Sequence, residues 1–250
     1  MTMNRDYFKL KNYLEDNSPY KKWLKEREIL QFDAKNPELL IQALTHSSFV
    51  HENQDWTLGH NERLEFLGDA VLDFVLSEHL FNTFKDLREG ELSKLRSSLV
   101  NEDHLSQWGE LLGIDQFILL GKGEFNKDKV EKAIVADALE ALIGALSLID
   151  GQETQRVLHR WIETFDELSD MPFLSLKRLD LFDPKSKLQE LTLEEDKITP
   201  HYESLSLGEG LGFESTVYIK EKQYEKGSGP SKKKAEIAAA KATLLKHFLM

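Results

Sequence analysis

Apolar residues recur every three to four positions through the first 168 residues, and that spacing predicts helices throughout. Ser18-Pro19 reads as an N-cap followed by proline at the first helical position, opening Y-K-K-W-L-K-E-R-E-I-L. Asn36-Pro37 repeats that start signal ahead of P-E-L-L-I-Q-A-L-T-H. A long helix is predicted over 61–84. From E-L-S-K-L-R onward the helical period runs on to Gly113, where a glycine stop ends it. A polar loop is expected over 121–129, then helices over 130–149 and 152–168. Residues 1–17 are polar, mixed in charge and without a clear core face.

The pattern changes at Met171-Pro172, and few helical cues follow before Asp183-Pro184. K-S-K-L-Q-E-L-T-L then reads helical. H-Y-E-S-L-S-L, F-E-S-T-V-Y-I-K and K-Q-Y-E-K alternate and are rich in β-formers, so three strands are expected. G-S-G-P-S-K-K-K leads into an alanine-rich helix. The predicted architecture is an all-α domain over 20–170, a linker over 171–181, and an α-β-β-β-α module of α+β class over 182–250.

Charge supports that division. The chain carries a net −12, yet residues 182–250 hold 11 basic and 11 acidic side chains. The acidic excess therefore lies in the first part, and the tail has a local cluster at Lys232, Lys233 and Lys234. An overall charge of −12 argues against indiscriminate adhesion to nucleic acid. No apolar run approaches the roughly 20 residues that span a bilayer, and the N-terminus has no signal-peptide pattern. With zero cysteines there is no disulfide framework, thiolate nucleophile or cysteine-ligated zinc. The expectation is a cytoplasmic protein with no membrane association.

Two acidic islands interrupt otherwise apolar helices. N-E-R-L-E-F-L-G-D-A-V-L sets Glu62, Glu65 and Asp69 within about 60° of one helical face. A-D-A-L-E-A-L-I-G-A holds Asp137 and Glu140 three apart. In a chain with 44 acids an isolated pair is ordinarily a solvated face. Carboxylates inside apolar helices instead call for a compensating positive charge, and a divalent cation such as Mg²⁺ suits oxygen ligands beside a phosphate. Such a site activates water and stabilises charge on phosphorus. Gly68 lowers helix propensity by about 1 kcal/mol relative to alanine, so its presence suggests close approach of another helix or a partner.

N-E-R-L-E-F-L-G-D-A resembles the ribonuclease III signature, and A-D-A-L-E-A-L-I-G-A the second acidic motif of that family. A-L-T-H-S-S at 43–48 and R-E-G-E-L-S-K-L-R at 88–96 also have counterparts there, so the resemblance covers nearly the whole chain from about residue 20. It implies an endonuclease that hydrolyses double-stranded RNA with Mg²⁺, Mn²⁺ substituting, to 5′-phosphate and 3′-hydroxyl ends. No organic cofactor is implied. By motif position Glu65, Asp137 and Glu140 are metal ligands, and Asp69 completes the carboxylate set and orients water. Glu62 and Glu89 match supporting acids. Phe66 matches a position packed into a partner subunit, because family members are homodimers that leave two-nucleotide 3′ overhangs. Asp73 is not required by the pattern and reads as solvated or salt-bridged. His46 and His60 read as packing or capping residues.

D-P-K-S-K-L-Q-E and G-S-G-P-S-K-K-K-A-E-I-A-A-A-K-A resemble the double-stranded-RNA-binding domain. By that resemblance Gln189 and Glu190 face the minor groove, Lys232 and Lys233 meet phosphates, and Ser231 caps their helix. Lysines at a helix N-terminus suit phosphates physically, since free N–H groups and positive charge converge there. Two departures stand out. V-E-K-A-I-V-A-D places Lys132 and Ala133 where the family often has a basic residue and a serine, and the 121–129 loop lacks the usual glycine-rich, arginine-bearing form. In the tail, L-G-E-G-L-G-F carries Glu209 and no histidine between the first two strands, which with zero net charge implies weaker RNA binding than in relatives. The implied role is maturation of ribosomal precursors and other structured transcripts, messenger and transfer RNA included. A noncatalytic duplex binder and a helical protein with a structural metal are the competing classes. The first leaves four acids unexplained, and the second leaves the basic tail unexplained.

Overall fold

The computed structural model describes residues 15, 18–125, 129–169, 171–208 and 210–249. The expectations for residues 1–14, 16, 17 and for Glu209 lie outside them. Two compact units divide the chain, Met1–Phe173 and Leu174–Met250.

The first unit is helical. Ser18 caps α1 (Pro19–Glu26) by accepting from Lys21 N at 3.1 Å, and Asn36 caps α3 (Pro37–Ala43) by accepting from Leu39 N at 3.2 Å. Between them lies α2 (Leu30–Lys35), and α4 (Ser47–Glu52) follows. The long helix α5 (Glu62–Thr83) buries Leu64, Gly68, Leu72, Val75, Leu76 and Leu80 against α9 (Lys132–Leu168). Glycine permits the contact. A Cβ on Gly68 would stand 1.7 Å from the Glu140 carbonyl oxygen, and one on Gly144 would stand 2.2 Å from that of Leu64. Residue 64 meets 144 while 68 meets 140, so the two helices run antiparallel with backbones touching.

Three expectations change. The continuous period up to Gly113 divides into α6 (Glu89–Leu99) and α7 (Glu102–Leu112). Asn101 takes an extended ψ of 155° and accepts from His104 N at 3.0 Å, so a capping side chain breaks a helix that periodicity alone would continue. A short helix, α8 (Lys122–Phe125), occupies part of the expected loop, held by the Glu52 carboxylate accepting from Lys122 N at 2.9 Å. The expected linker over 171–181 is partly structured. Phe173 is fully buried and packs edge-on against Trp108 and Phe165, and α10 (Leu176–Phe182) starts at a Ser175 cap. The break expected near residue 150 is present inside α9, where Asp150 has φ −162° and ψ 93° and caps the second half through Glu153 N.

The second unit places α11 (Pro184–Asp196) and α12 (Lys232–His247) with an antiparallel sheet of order β1-β2-β3: β1 (His201–Ser206), β2 (Phe213–Ile219) and β3 (Lys222–Gly229). Register runs from His201 opposite Tyr218 to Ser206 opposite Phe213. Leu188, Val217, Ile219, Ala239, Ala240 and Leu244 form the core. Alanines on α12 let β3 come close: a Cβ on Gly227 would stand 2.1 Å from Ala239 N. Among the described residues no helix is long and apolar enough to cross a membrane.

Candidate functional site

The Gly68–Gly144 contact decides where the acids go. It brings the acidic turn of α5 to the acidic turn of α9, and one carboxylate oxygen each from Glu65, Asp137 and Glu140 lie within 4.8 Å of one another. Glu140 sits on a stretch of α9 whose neighbours Leu139, Ala141, Leu142 and Ile143 are fully buried. Its carboxyl is pushed up to about 8, first by burial and then by the charges of Asp69, Asp137, Glu65 and Asp73. Burial also raises Glu65, with Asp137, Glu62 and Asp69 adding to it. Asp137 is raised by burial, against an opposing pull from His46, and Glu102 and Glu62 raise it further. Neighbouring negative charge disfavours the ionised form. Three oxygen donors that repel each other fit a hard divalent cation, which would lower all three together.

The other predicted acids differ in placement. Asp69 is exposed one turn beyond Glu65; it acts on Glu65 and Glu140 through its charge but is not one of the three converging carboxylates. Glu62 is exposed, 3.7 Å from His60 Nδ1, and acts on Glu65 and Asp137. Glu89 opens α6, where its carboxylate accepts from Ser93 Oγ at 3.0 Å; it is not among the charges that raise the three. His46 caps α4, its Nδ1 accepting from Ser48 N at 3.3 Å and lying 2.8 Å from Ser48 Oγ. Asp73 lies 3.6 Å from Arg96 Nε. Sequence reading gave Arg96 and Glu102 no part near the site. Glu102 comes from α7, and no local spacing ties it to Asp137.

On α5, Phe66, Phe74 and Phe81 are 81%, 60% and 66% exposed, an apolar stripe flanking the acids. In the second unit Ser231 caps α12, accepting from Lys234 N at 3.3 Å. Lys232 and Lys233 stand exposed in its first turn. Gln189 and Glu190 are exposed on α11, with the Glu190 carboxylate 3.5 Å from Lys187 Nζ.

A family profile described as Ribonuclease-III-like matches residues 36–164, and the double-stranded RNA binding motif matches residues 184–247. The chain belongs to the ribonuclease III family. The Ribonuclease 3 of Desulforamulus reducens is 43% identical over 217 residues, covering 85% of this chain and 86% of that protein. That of Bdellovibrio bacteriovorus is 43% identical over 231 residues, 90% of this chain and 94% of its own. A crystal structure of the ribonuclease III nuclease domain from Campylobacter jejuni is 38% identical with a TM-score of 0.52, covering 61% of this chain and 98% of that one. A second structure of that domain, described for flexibility in a region involved in dimer formation, is 42% identical with a TM-score of 0.51 over 57% and 95%. The chain is thus an endoribonuclease whose helical nuclease unit carries a cluster able to hold a metal, followed by a double-stranded-RNA-binding unit.

Proposed function

We propose that the chain works as a homodimer that hydrolyses both strands of duplex RNA, dependent on Mg²⁺ with Mn²⁺ as a substitute. The products have 5′-phosphate and 3′-hydroxyl ends with two-nucleotide 3′ overhangs. The convergence of Glu65, Asp137 and Glu140 carries the reading. In this reading those three hold the cation. A bound divalent cation supplies charge neutralisation and water activation at the phosphate. Asp69 completes the set and orients the attacking water. A water oxygen bonds to phosphorus, the bond to the 3′ oxygen breaks, and that oxygen takes up a proton. Glu62 supports the set through its charge on Glu65 and Asp137. For Glu89 only the motif position speaks.

One nuclease unit supplies one such cluster, so cutting two strands calls for two chains. The exposed stripe at Phe66, Phe74 and Phe81 supports that, since apolar surface of this kind marks a partner site. Phe66 is assigned to the partner subunit's surface. Lys232 and Lys233, set in the capped first turn of α12 behind Ser231, are assigned to phosphates, and Gln189 and Glu190 to the minor groove. The substrates are ribosomal precursors and other structured transcripts, including messenger and transfer RNA, and these place the enzyme in the cytoplasm. The test is incubation with long duplex RNA, with and without Mg²⁺, followed by sizing and end analysis. Short duplexes with 5′-phosphates and overhangs are expected only with the metal; cutting in chelator overturns the reading.

A further inference from the structure

In the second unit a charged pair ties the two RNA-facing helices together. Lys185 Nζ, in the first turn of α11, lies 2.6 Å from Glu236 Oε2 on α12. The pair is sheltered: the side chains are 35% and 14% exposed. Lys185 Nζ also stands 4.5 Å from the ring centroid of Tyr202. Ser204 Oγ donates to Glu236 Oε1 at 3.5 Å and shares a 2.6 Å hydrogen bond with Ser215 Oγ. One ion pair thus joins both helices and the sheet.

Its position along each helix matters. Lys185 is four residues before Gln189, and Glu236 is four after Lys232 and three after Lys233. Residues three and four apart share a helix face, so the pair sits one turn from the reading residues on both helices. The apolar contact between α11 and α12 runs through Leu188 and small alanines. Such contact is non-directional and tolerates sliding. A hydrogen-bonded charge pair does not. Duplex RNA is read by shape, across minor grooves and the intervening phosphates, so the offset between the two helices is itself the measuring device.

We propose that Lys185 and Glu236 are positioning residues that set this offset and so select A-form duplex over B-form. The inference rests on the assignment of Gln189, Lys232 and Lys233 to the RNA interface. The test uses the full chain without divalent cation, so that nothing is cut. Lys185→Met, Glu236→Gln, the exchanged pair Lys185→Glu with Glu236→Lys, and Lys232→Glu with Lys233→Glu are compared. Affinity for duplex RNA and for duplex DNA of the same sequence, the salt slope of each, and thermal unfolding are measured.

Each single clamp variant is expected to lose about fivefold in duplex-RNA affinity, the most that a partly exposed ion pair transmits. The preference for RNA over DNA falls with it, the salt slope stays, and the exchanged pair recovers most of the loss. Three results overturn the clamp. One is unchanged RNA affinity. A second is an equal loss on both duplexes, which a purely structural role would give. The third is a reduced salt slope for Lys185→Met, which would make Lys185 a phosphate contact. Failure of the interface assignment shows separately, as unchanged binding by Lys232→Glu with Lys233→Glu.

Discussion

Around the α5–α9 crossing, acids stand against acids: Glu65, Asp137 and Glu140 converge, and each is raised by burial and by its neighbours. In the RNA-binding unit acids are matched with bases. Lys185 pairs with Glu236, Lys226 with Glu214, Lys220 with Asp196, and Lys246 with Glu225, all at 2.9 Å or less. On the proposed reading both units deal with RNA phosphates. One presents surplus negative charge that a divalent cation could offset. The other pairs many of its charges internally, while Lys232 and Lys233 face outward. Local electrostatic conflict of the first kind is what a reactive site looks like, whereas matched pairs hold a shape. Matched pairs also occur in the nuclease unit away from the crossing, as where Arg156 joins Glu28 and Glu153.

The sharpest way to break the contrast is to remove one acid from the conflict. Glu140→Gln keeps the shape and removes the charge. Duplex cleavage in Mg²⁺ is expected to fall by about a thousandfold or more, the scale of losing one group from a preorganised electrostatic site. Duplex affinity and dimerisation should not change. Single-turnover cleavage of an end-labelled duplex, beside a binding titration, checks both, and a cleavage loss below tenfold would remove Glu140 from the metal set.

Reversing the outward lysines attacks the other half. Lys232→Glu with Lys233→Glu should lower duplex affinity by about ten- to a hundredfold at moderate salt and reduce the salt slope by about two. Cleavage at saturating RNA should survive, because the acids of the first unit are intact. Loss of cleavage at saturation with binding intact would mean that the two units do not divide the work in this way.

Phe66 tests whether the nuclease unit's surplus extends to its apolar surface. Burying a phenylalanine contributes about 1.5–3 kcal/mol, so Phe66→Asp should weaken a symmetric dimer, which uses the residue twice, by at least about a hundredfold. Sedimentation across a concentration series would show monomer replacing dimer. An unchanged distribution would leave the exposed stripe without its assigned partner.

What the sequence made legible follows the same division. The acids, the capped helix starts at Ser18 and Asn36, and the three strands were readable because each rests on local spacing or on one side chain's capping chemistry. Gly68 was readable as a close approach, though not that its partner would be the Glu140 backbone. Contacts between distant segments were not readable. Glu102 acts on Asp137 through its charge from another helix, and Arg96 lies 3.6 Å from Asp73 across 23 positions. The break at Asn101 was missed because an apolar period carries straight through a well-capped junction. Phe173 was read as linker because nothing near it in sequence shows that Trp108 and Phe165 wait for it.

The smallest effect expected is also the most direct measure of the conflict itself. Glu140 rises from an ordinary 4.5 to about 8 without metal. Between those values the folded chain holds a proton that the unfolded chain has released. Stability therefore falls as pH rises through that window, and protonation on the acid side relieves it. Glu65 and Asp137 are raised and push the same way. Glu28 and Glu153, lowered by hydrogen bonds from Arg156, push oppositely in acid below the ordinary carboxylate range, and His79, lowered by burial and by His159, pushes oppositely just below its ordinary 6.5. Metal-free protein should thus melt higher near pH 6 than near pH 8, and Glu140→Gln should flatten that slope. Partial solvent access screens the penalty, so the difference at pH 8 is expected to be ~2–4 °C in a domain of this size. Mg²⁺ should cancel the slope in the wild-type chain and do little in the variant. Parallel melting curves for the two proteins from pH 6 to 8 would show that Glu140 carries no strain, and the contrast between the two units would then rest on geometry alone.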